Sequence, residues 1–163
     1  MNAAQTEITP EELQRYEQLQ QQALDFARAG DTDALELMVQ AGLPADLSDH
    51  KGNSLLMLAC YYQNLDTARM LLDHGATPNS RNDRGQTPLG GVAFKGYADI
   101  AELLIGHGAD VNADQGGGKA PLIFATLFGR LATRRILKRH GAKLWSSTPK
   151  TIKGRLRRTV PSR

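Results

Sequence analysis

Glycine recurs at a fixed interval through most of this chain, and that interval leaves few folds open. Gly52, Gly85 and Gly118 are 33 residues apart, as are Gly30, Gln63, Gly96 and Gly129, and again Gly42, Gly75, Gly108 and Gly141. Three registers sharing one period imply a structural unit of that length copied along the sequence, and a period of about 20–50 residues is the mark of a stacked array. The stretch Asn82–Ala109 displays the unit most clearly. Thr87 can cap a helix that begins with Pro88, whose missing N–H costs nothing at the first helical position, and Gly96 ends that helix. A second helix carries Ile100, Ala101, Leu103 and Leu104 on a stripe near the 3.6-residue period, and Gly108 supplies a left-handed closing residue.

The same reading extends in both directions. Thr9-Pro10-Glu11-Glu12 combines a Thr cap, Pro at the first helical position and Glu three residues after the cap, so a helix should start at Pro10 and continue to about Ala29. Its glutamine-rich face (Gln14, Gln18, Gln21, Gln22) suits a terminal unit that buries one side and solvates the other. Asp33–Ala41 completes the first unit. The second has helices over Ser54–Tyr62 and Asp66–His74, and the fourth over Pro121–Phe128 and Leu131–His140. The expected organisation is a short terminus at 1–9, an array at 10–145 with units at about 10–48, 49–81, 82–114 and 115–145, and a basic, disordered tail at 146–163. Thr151 stands where a fifth turn glycine would fall, so no fifth unit begins. Leu144 and Trp145 are expected to fold over the exposed end of the fourth.

A turn followed by two helices, with Thr87-Pro88-Leu89 at the start of the first, resembles the ankyrin-repeat family over Gln21–Ala142. The resemblance implies an all-α ankyrin-repeat solenoid of helix-turn-helix units joined by short β-turn fingers. The motif is worn: Gly90 stands where the family usually has His, Ser54-Leu55-Leu56-Met57 replaces the motif in the preceding unit, and Ala120-Pro121-Leu122-Ile123 replaces it in the next. These departures are expected to weaken hydrogen bonds between neighbouring turns while leaving the fold intact.

The formal charge of +3 is unevenly divided. Up to Ala142 there are 13 Lys and Arg against 17 Asp and Glu, a net of −4, and from Lys143 onward 7 basic residues and no acid. The high pI therefore describes the tail, and by itself is no argument that the array binds nucleic acid. No apolar run is long enough for a transmembrane helix, the N-terminus lacks the pattern of a signal peptide, and the single Cys60 cannot form an internal disulfide. A monomer in a reducing cytoplasm is the expectation.

Several constellations invite chemistry and fail on spacing. His74, His107 and His140 occupy one place in successive units, and packed helices lie about 8–10 Å apart, so they cannot share a zinc ion with bonds of about 2 Å. Each is read as a histidine in the last helical turn, favoured by the helix dipole. Gly116-Gly117-Gly118-Lys119 lacks the spacing of a phosphate loop, and Ala120 stands where that loop needs a hydroxyl, so it is read as a glycine-rich turn. Cys60 falls at a small-residue position and is read as a buried, inert thiol. No metal, cofactor or catalytic set is expected.

What remains is the surface that the resemblance implies for binding a protein partner: the turn fingers and the ends of the first helices. The fingers offer Ser48, His50, Lys51 and Asn53, then Arg81, Asp83, Arg84 and Gln86, then Asp114, Gly116 and Lys119; the helix ends offer Tyr61 and Tyr62, Phe94 and Lys95, Leu127 and Phe128. A column of Tyr and Phe beside Arg and Lys has the composition of an interaction hot spot. Tyr61, Phe94 and Leu127 can equally fill the space between stacked units, whereas Tyr62, Lys95 and Phe128, one residue further round, are expected to be exposed. The alternative function is a nucleic-acid-associated or anionic-surface-associated regulator whose basic C-terminal tail contacts phosphate.

Overall fold

The computed structural model describes residues 7–146. Expectations for 1–6 and 147–163, which include nearly all of the basic tail, fall outside the described residues. Within them the chain forms eight helices: α1 (Pro10–Ala29), α2 (Thr32–Gln40), α3 (Leu55–Tyr61), α4 (Leu65–Asp73), α5 (Pro88–Lys95), α6 (Ala98–Gly106), α7 (Pro121–Leu127) and α8 (Leu131–Arg139). Their bounds lie within a residue or two of those read from the sequence. The described residues contain no strand, only isolated bridges between Ser48 and Ser54 and between Lys119 and Trp145.

The period becomes geometry at the turns. Gly30, Gly96 and Gly129 all have positive φ, and so does Gln63 in the same register. A left-handed residue there swings the chain out of the first helix, so that Asp31, Asn64, Tyr97 and Arg130 can begin the second. Gln63, at φ 65°, is the one non-glycine residue among those described that adopts this conformation. A side chain in that region costs roughly 1–2 kcal/mol, because Cβ crowds the backbone carbonyl. The register keeps its shape even where the sequence does not supply its best residue.

Side-chain caps hold the starts of α1, α2, α3 and α5. Thr9 Oγ1 accepts from Glu12 N at 3.2 Å while Glu12 returns a carboxylate to Thr9 N at 2.9 Å, which is the capping box the sequence predicts. Ser54 and Thr87 cap α3 and α5 by single bonds from Met57 N and Gly90 N, but Ala120 has no side-chain acceptor to offer α7, and its own N–H is bonded to Leu144 O.

The first helices pack in one row, α1 on α3 on α5 on α7, and the second helices in another, α2 on α4 on α6 on α8. Burial follows the repeat. Leu71, Leu104 and Leu137 occupy one column and are fully buried, while Ala27, Cys60 and Ala93 form a column of small residues where the first helices pack most closely. Burial drives the Cys60 thiol strongly up from its ordinary range, which keeps it protonated and unreactive.

The end of the stack departs from expectation. The chain after α8 returns beside the last finger, with Ser146 N bonded to Gly118 O at 2.8 Å, yet Leu144 remains 44% and Trp145 60% exposed. Two backbone bonds and a bridge fix this segment to the finger, not to the apolar end of unit four. Its side chains therefore do not form the cover that the sequence suggested.

Leu71→Ala and Leu104→Ala should each destabilise the fold by about 2–5 kcal/mol in urea unfolding, as large-to-small changes at fully buried positions do. Gln63→Gly should act in the opposite sense and raise stability by about 0.5–1 kcal/mol, by relieving the left-handed side chain.

Candidate binding groove

Each finger is built around one side chain that ties down its own turn. Asp49 Oδ1 accepts from the N–H of Lys51 and of Asn53, both at 2.9 Å, and Asn82 Oδ1 accepts from Arg84 and Gln86, both at 3.0 Å. Neighbouring fingers are then joined to each other. Asn82 Nδ2 donates to Asn53 Oδ1 at 3.0 Å, Asp83 N to Lys51 O at 3.0 Å, and Arg81 to the carbonyl oxygens of Gly85 and Asp114. This bonding places the outward side chains of Lys51, Asp83 and Arg84 along one lip.

The third finger solves the same problem differently. Gln115 holds the place of Asp49 and Asn82 in the repeat, but its longer side chain turns inward and becomes buried. There Oε1 accepts from Thr87 N at 2.8 Å, and Nε2 donates to Thr87 Oγ1 at 2.9 Å and to Ala113 O at 3.0 Å. Asp114, one residue earlier, takes over the turn by accepting from Gly116 N and Gly118 N, which also engages two of the N–H groups that a phosphate loop would need. The inward turn has room because position 90 is glycine: a Cβ there would lie 1.9 Å from Gln115 Oε1. Where loss of the family's His was expected to weaken bonding between turns, Gln115 supplies two bonds to Thr87 through the space that Gly90 leaves.

Between the fingers and the first helices lies an open groove of about 770 Å³. Nine of the residues singled out from the sequence line it: His50, Lys51, Asn53, Asp83, Arg84 and Gln86 from the fingers, and Tyr61, Tyr62 and Phe94 from α3 and α5. Ser48, Arg81, Lys95, Asp114, Gly116, Lys119, Leu127 and Phe128 do not. Residues not singled out complete it, chiefly Arg28, Asp49, Met57, Gly90, Gly91 and Gln115. Gly90 and Gly91 lower the floor by leaving α5 without side chains at that point. The glycine pair inside a predicted helix was the one sequence signal that could have marked it.

Aromatic side chains continue along the groove wall and past its end. Tyr61 and Tyr62 meet edge to face with centroids 5.8 Å apart, and Phe94 meets Phe128 in the same manner at 4.6 Å. Tyr61, Phe94 and Leu127 are exposed, which settles the choice between packing and exposure in favour of exposure. Tyr62 and Phe128 are exposed as expected, but Lys95 is half-buried because its Nζ lies over the Tyr61 ring, 4.6 Å from the centroid. A cation held against an aromatic face gains quadrupole attraction and keeps the ring in place.

Arg28, at the end of α1, is 2.9 Å from Asp25 and 3.6 Å from Asp49, so it closes the groove at the first unit. Burial opposes ionisation of Asp49. The hydrogen bonds from the Asn53 side chain and N–H and from Lys51 N–H, helped by the neighbouring His50, outweigh it and hold the carboxyl below its usual range.

The three repeat histidines lie away from the groove, and each pairs with a carboxylate of the preceding unit. His74 Nε2 is 3.7 Å from Glu36, His107 Nε2 3.5 Å from Asp73, and His140 Nε2 3.6 Å from Glu102. His74 and His107 also place Nδ1 within 2.9 and 3.0 Å of the carbonyl four residues earlier. They act as separate links between units, and among the described residues no group of His, Cys, Asp or Glu is arranged to hold a metal ion.

Two rows of short antiparallel helices, linked fingers and a groove on the finger side define a helical repeat solenoid. A family model described as ankyrin repeats (3 copies) matches residues 23–115 and again 76–148, and the chain belongs to the ankyrin-repeat family. It is 51% identical over 49 residues to an ankyrin repeat protein of Pseudomonas aeruginosa, an alignment covering 30% of this chain and 29% of that protein. It is 41% identical over 63 residues to an ankyrin repeat-containing protein of Treponema pallidum, covering 38% and 21%. To mouse ankyrin repeat and MYND domain-containing protein 1 it is 36% identical over 74 residues, covering 45% and 8%. The matched part is therefore less than a third of each relative. Ankyrin repeats are generally protein–protein interaction modules, and the family is typically a non-enzymatic scaffold.

Gln115→Ala should cost about 1–3 kcal/mol by stranding the buried Thr87 groups. Gly90→Ala should be destabilising in the presence of Gln115 and markedly less so in Gln115→Ala, a non-additivity that a double-mutant cycle on urea midpoints reads directly. Because the Asp49 carboxyl is held below its unfolded value, its stabilisation is complete above about pH 4 and is lost as pH falls through the lower folded value. Asp49→Asn should flatten that part of the acid limb of an unfolding profile.

Proposed function

We propose that the chain is a non-catalytic adaptor that binds a protein partner through the concave groove, acting as a monomer in a reducing cytoplasm. One observation carries this reading: nine of the residues singled out from the sequence, on two fingers and two helices, line a single open groove, with exposed Tyr61, Tyr62 and Phe94 on its wall. Large aromatic side chains left in water on a rigid, hydrogen-bonded frame are suited to act as anchors, because little ordering entropy remains to be lost when a partner covers them. The lip combines Lys51 and Arg84 with Asp83, which favours a partner segment carrying charges of both signs around an apolar centre. Lys95, Leu127 and Phe128 extend the same wall beyond the groove into unit four. Arg81 and Lys119 serve the fingers at its edge.

The test is a dissociation constant measured for a partner captured from native extract, with the wild-type chain and with Tyr62→Ala/Phe94→Ala. Tyr62 is 53% exposed but Phe94 only 36% and packed on Phe128, so Tyr62→Ala alone, which should change the melting temperature little, is measured beside the double variant. Affinity should fall by about 30-fold or more, through faster dissociation, as loss of aromatic anchors at an interface does. Unchanged affinity in the double variant would place the binding surface elsewhere.

A further inference from the structure

The charge of this protein is divided more sharply by unit than by tail. Residues 1–114 hold 7 Lys and Arg against 17 Asp and Glu, whereas residues 115–163 hold 13 Lys and Arg and no acid at all. Seven of those thirteen lie within the described fourth unit: Lys119, Arg130, Arg134, Arg135, Lys138, Arg139 and Lys143. Some have internal partners, since Arg139 reaches Glu102 at 2.8 Å and Arg130 Nε donates to Phe94 O at 3.0 Å. Lys119, Arg135, Lys138 and Lys143 are exposed and form no ion pair among the described residues. The last unit is therefore a concentrated field of one sign.

The same end leaves large apolar side chains in water. Leu131 is 59%, Leu144 44% and Trp145 60% exposed. They are interleaved with the free cations. Leu131, Arg135 and Lys138 share a face of α8 at i, i+4 and i+7, Lys143 precedes Leu144 directly, and the bridge from Trp145 to Lys119 sets those two backbones side by side.

We infer that unit four is a docking surface for a negatively charged bilayer. Two features select a bilayer over nucleic acid. Phosphate on a duplex matches the cations but offers nothing to cover Leu131, Leu144 and Trp145, whereas an anionic membrane presents headgroup charge and, directly beneath it, an apolar boundary. Tryptophan in particular is at home at that boundary, with its ring in the apolar layer and its N–H in the wet one. Reversible attachment to a membrane surface takes two signals, and a basic patch plus inserted apolar side chains are two. No helix among the described residues is long and apolar enough to cross a membrane, so the contact is peripheral. The acid-rich units one to three are repelled by the same surface. The array is thus oriented with unit four against the bilayer. This inference does not depend on what the groove binds.

Trp145 is the single tryptophan of the chain and therefore reports on the site directly. The experiment uses the full chain with phosphatidylcholine vesicles prepared with and without phosphatidylglycerol, read by co-sedimentation and by Trp145 emission. Expected are binding to the anionic vesicles only, a blue shift of emission as the indole leaves water, and loss of binding at high salt as the attraction is screened within about 10 Å or less. Arg135→Glu/Lys138→Glu should weaken vesicle binding by about tenfold or more without moving the melting temperature, because both side chains are exposed and unpaired within the described fold. Leu131→Ser should weaken it less while leaving its salt dependence intact. The inference is overturned if anionic vesicles do not bind the chain, if neutral vesicles bind it equally, or if duplex DNA binds it more tightly than anionic vesicles with no blue shift of Trp145.

Discussion

Everything in this fold follows from a backbone conformation that most residues avoid. Each first helix must stop and hand over to its partner within a very short turn, and only a left-handed residue redirects the chain so abruptly. Because that requirement returns at the same offset in every unit, each helix pair presents the same faces as the one before it, and stacking becomes the only way to bury them. Columns of leucine and of small residues are the outcome. Gln63 shows that the constraint lies in the geometry and not in glycine itself: the turn keeps its shape at the cost of a strained side chain.

The groove is a by-product of that stacking, refined by a local exchange of space. In a repeat, a side chain at one position is matched by its counterpart one unit later, so removing volume at Gly90 leaves a gap that a neighbouring unit can fill. Gln115 fills part of it and bonds to Thr87, while Gly91 keeps the remainder open against Tyr61. The floor is consequently bonded across units at Thr87 and left without side chains of its own at Gly90 and Gly91. The groove floor and the bonding between units therefore meet in a few residues of α5 and the third finger.

The sequence made the backbone legible and the side-chain orientations only in part. Glycine spacing, Thr-Pro starts and the leucine stripes locate all eight described helices to within a residue or two, because each is decided by local sterics. The aromatic column was also readable, since residues at equal offsets must share a face. What escaped depends on choices between units. Gln115 reads as a finger residue until Gly90, far away in sequence, is seen to make room for it. Lys95 reads as exposed until Tyr61 offers its ring, and Arg28 belongs to a different unit from the groove it closes. Trp145 reads as a cover because a large apolar residue at the end of an array is expected to be one, yet backbone bonding to the last finger decides its position.

Cys60 has a consequence of another kind. It sits in the small-residue column at the contact between α3 and its neighbours, 1% exposed, with its thiol kept protonated by burial. No other cysteine competes with it. A thiol so placed reacts with a labelling reagent only during the moments when the inner row parts around unit two, so its modification rate is a natural clock for the breathing of the array. A partner that clamps the middle of the stack slows the clock, and one that engages an end leaves it running.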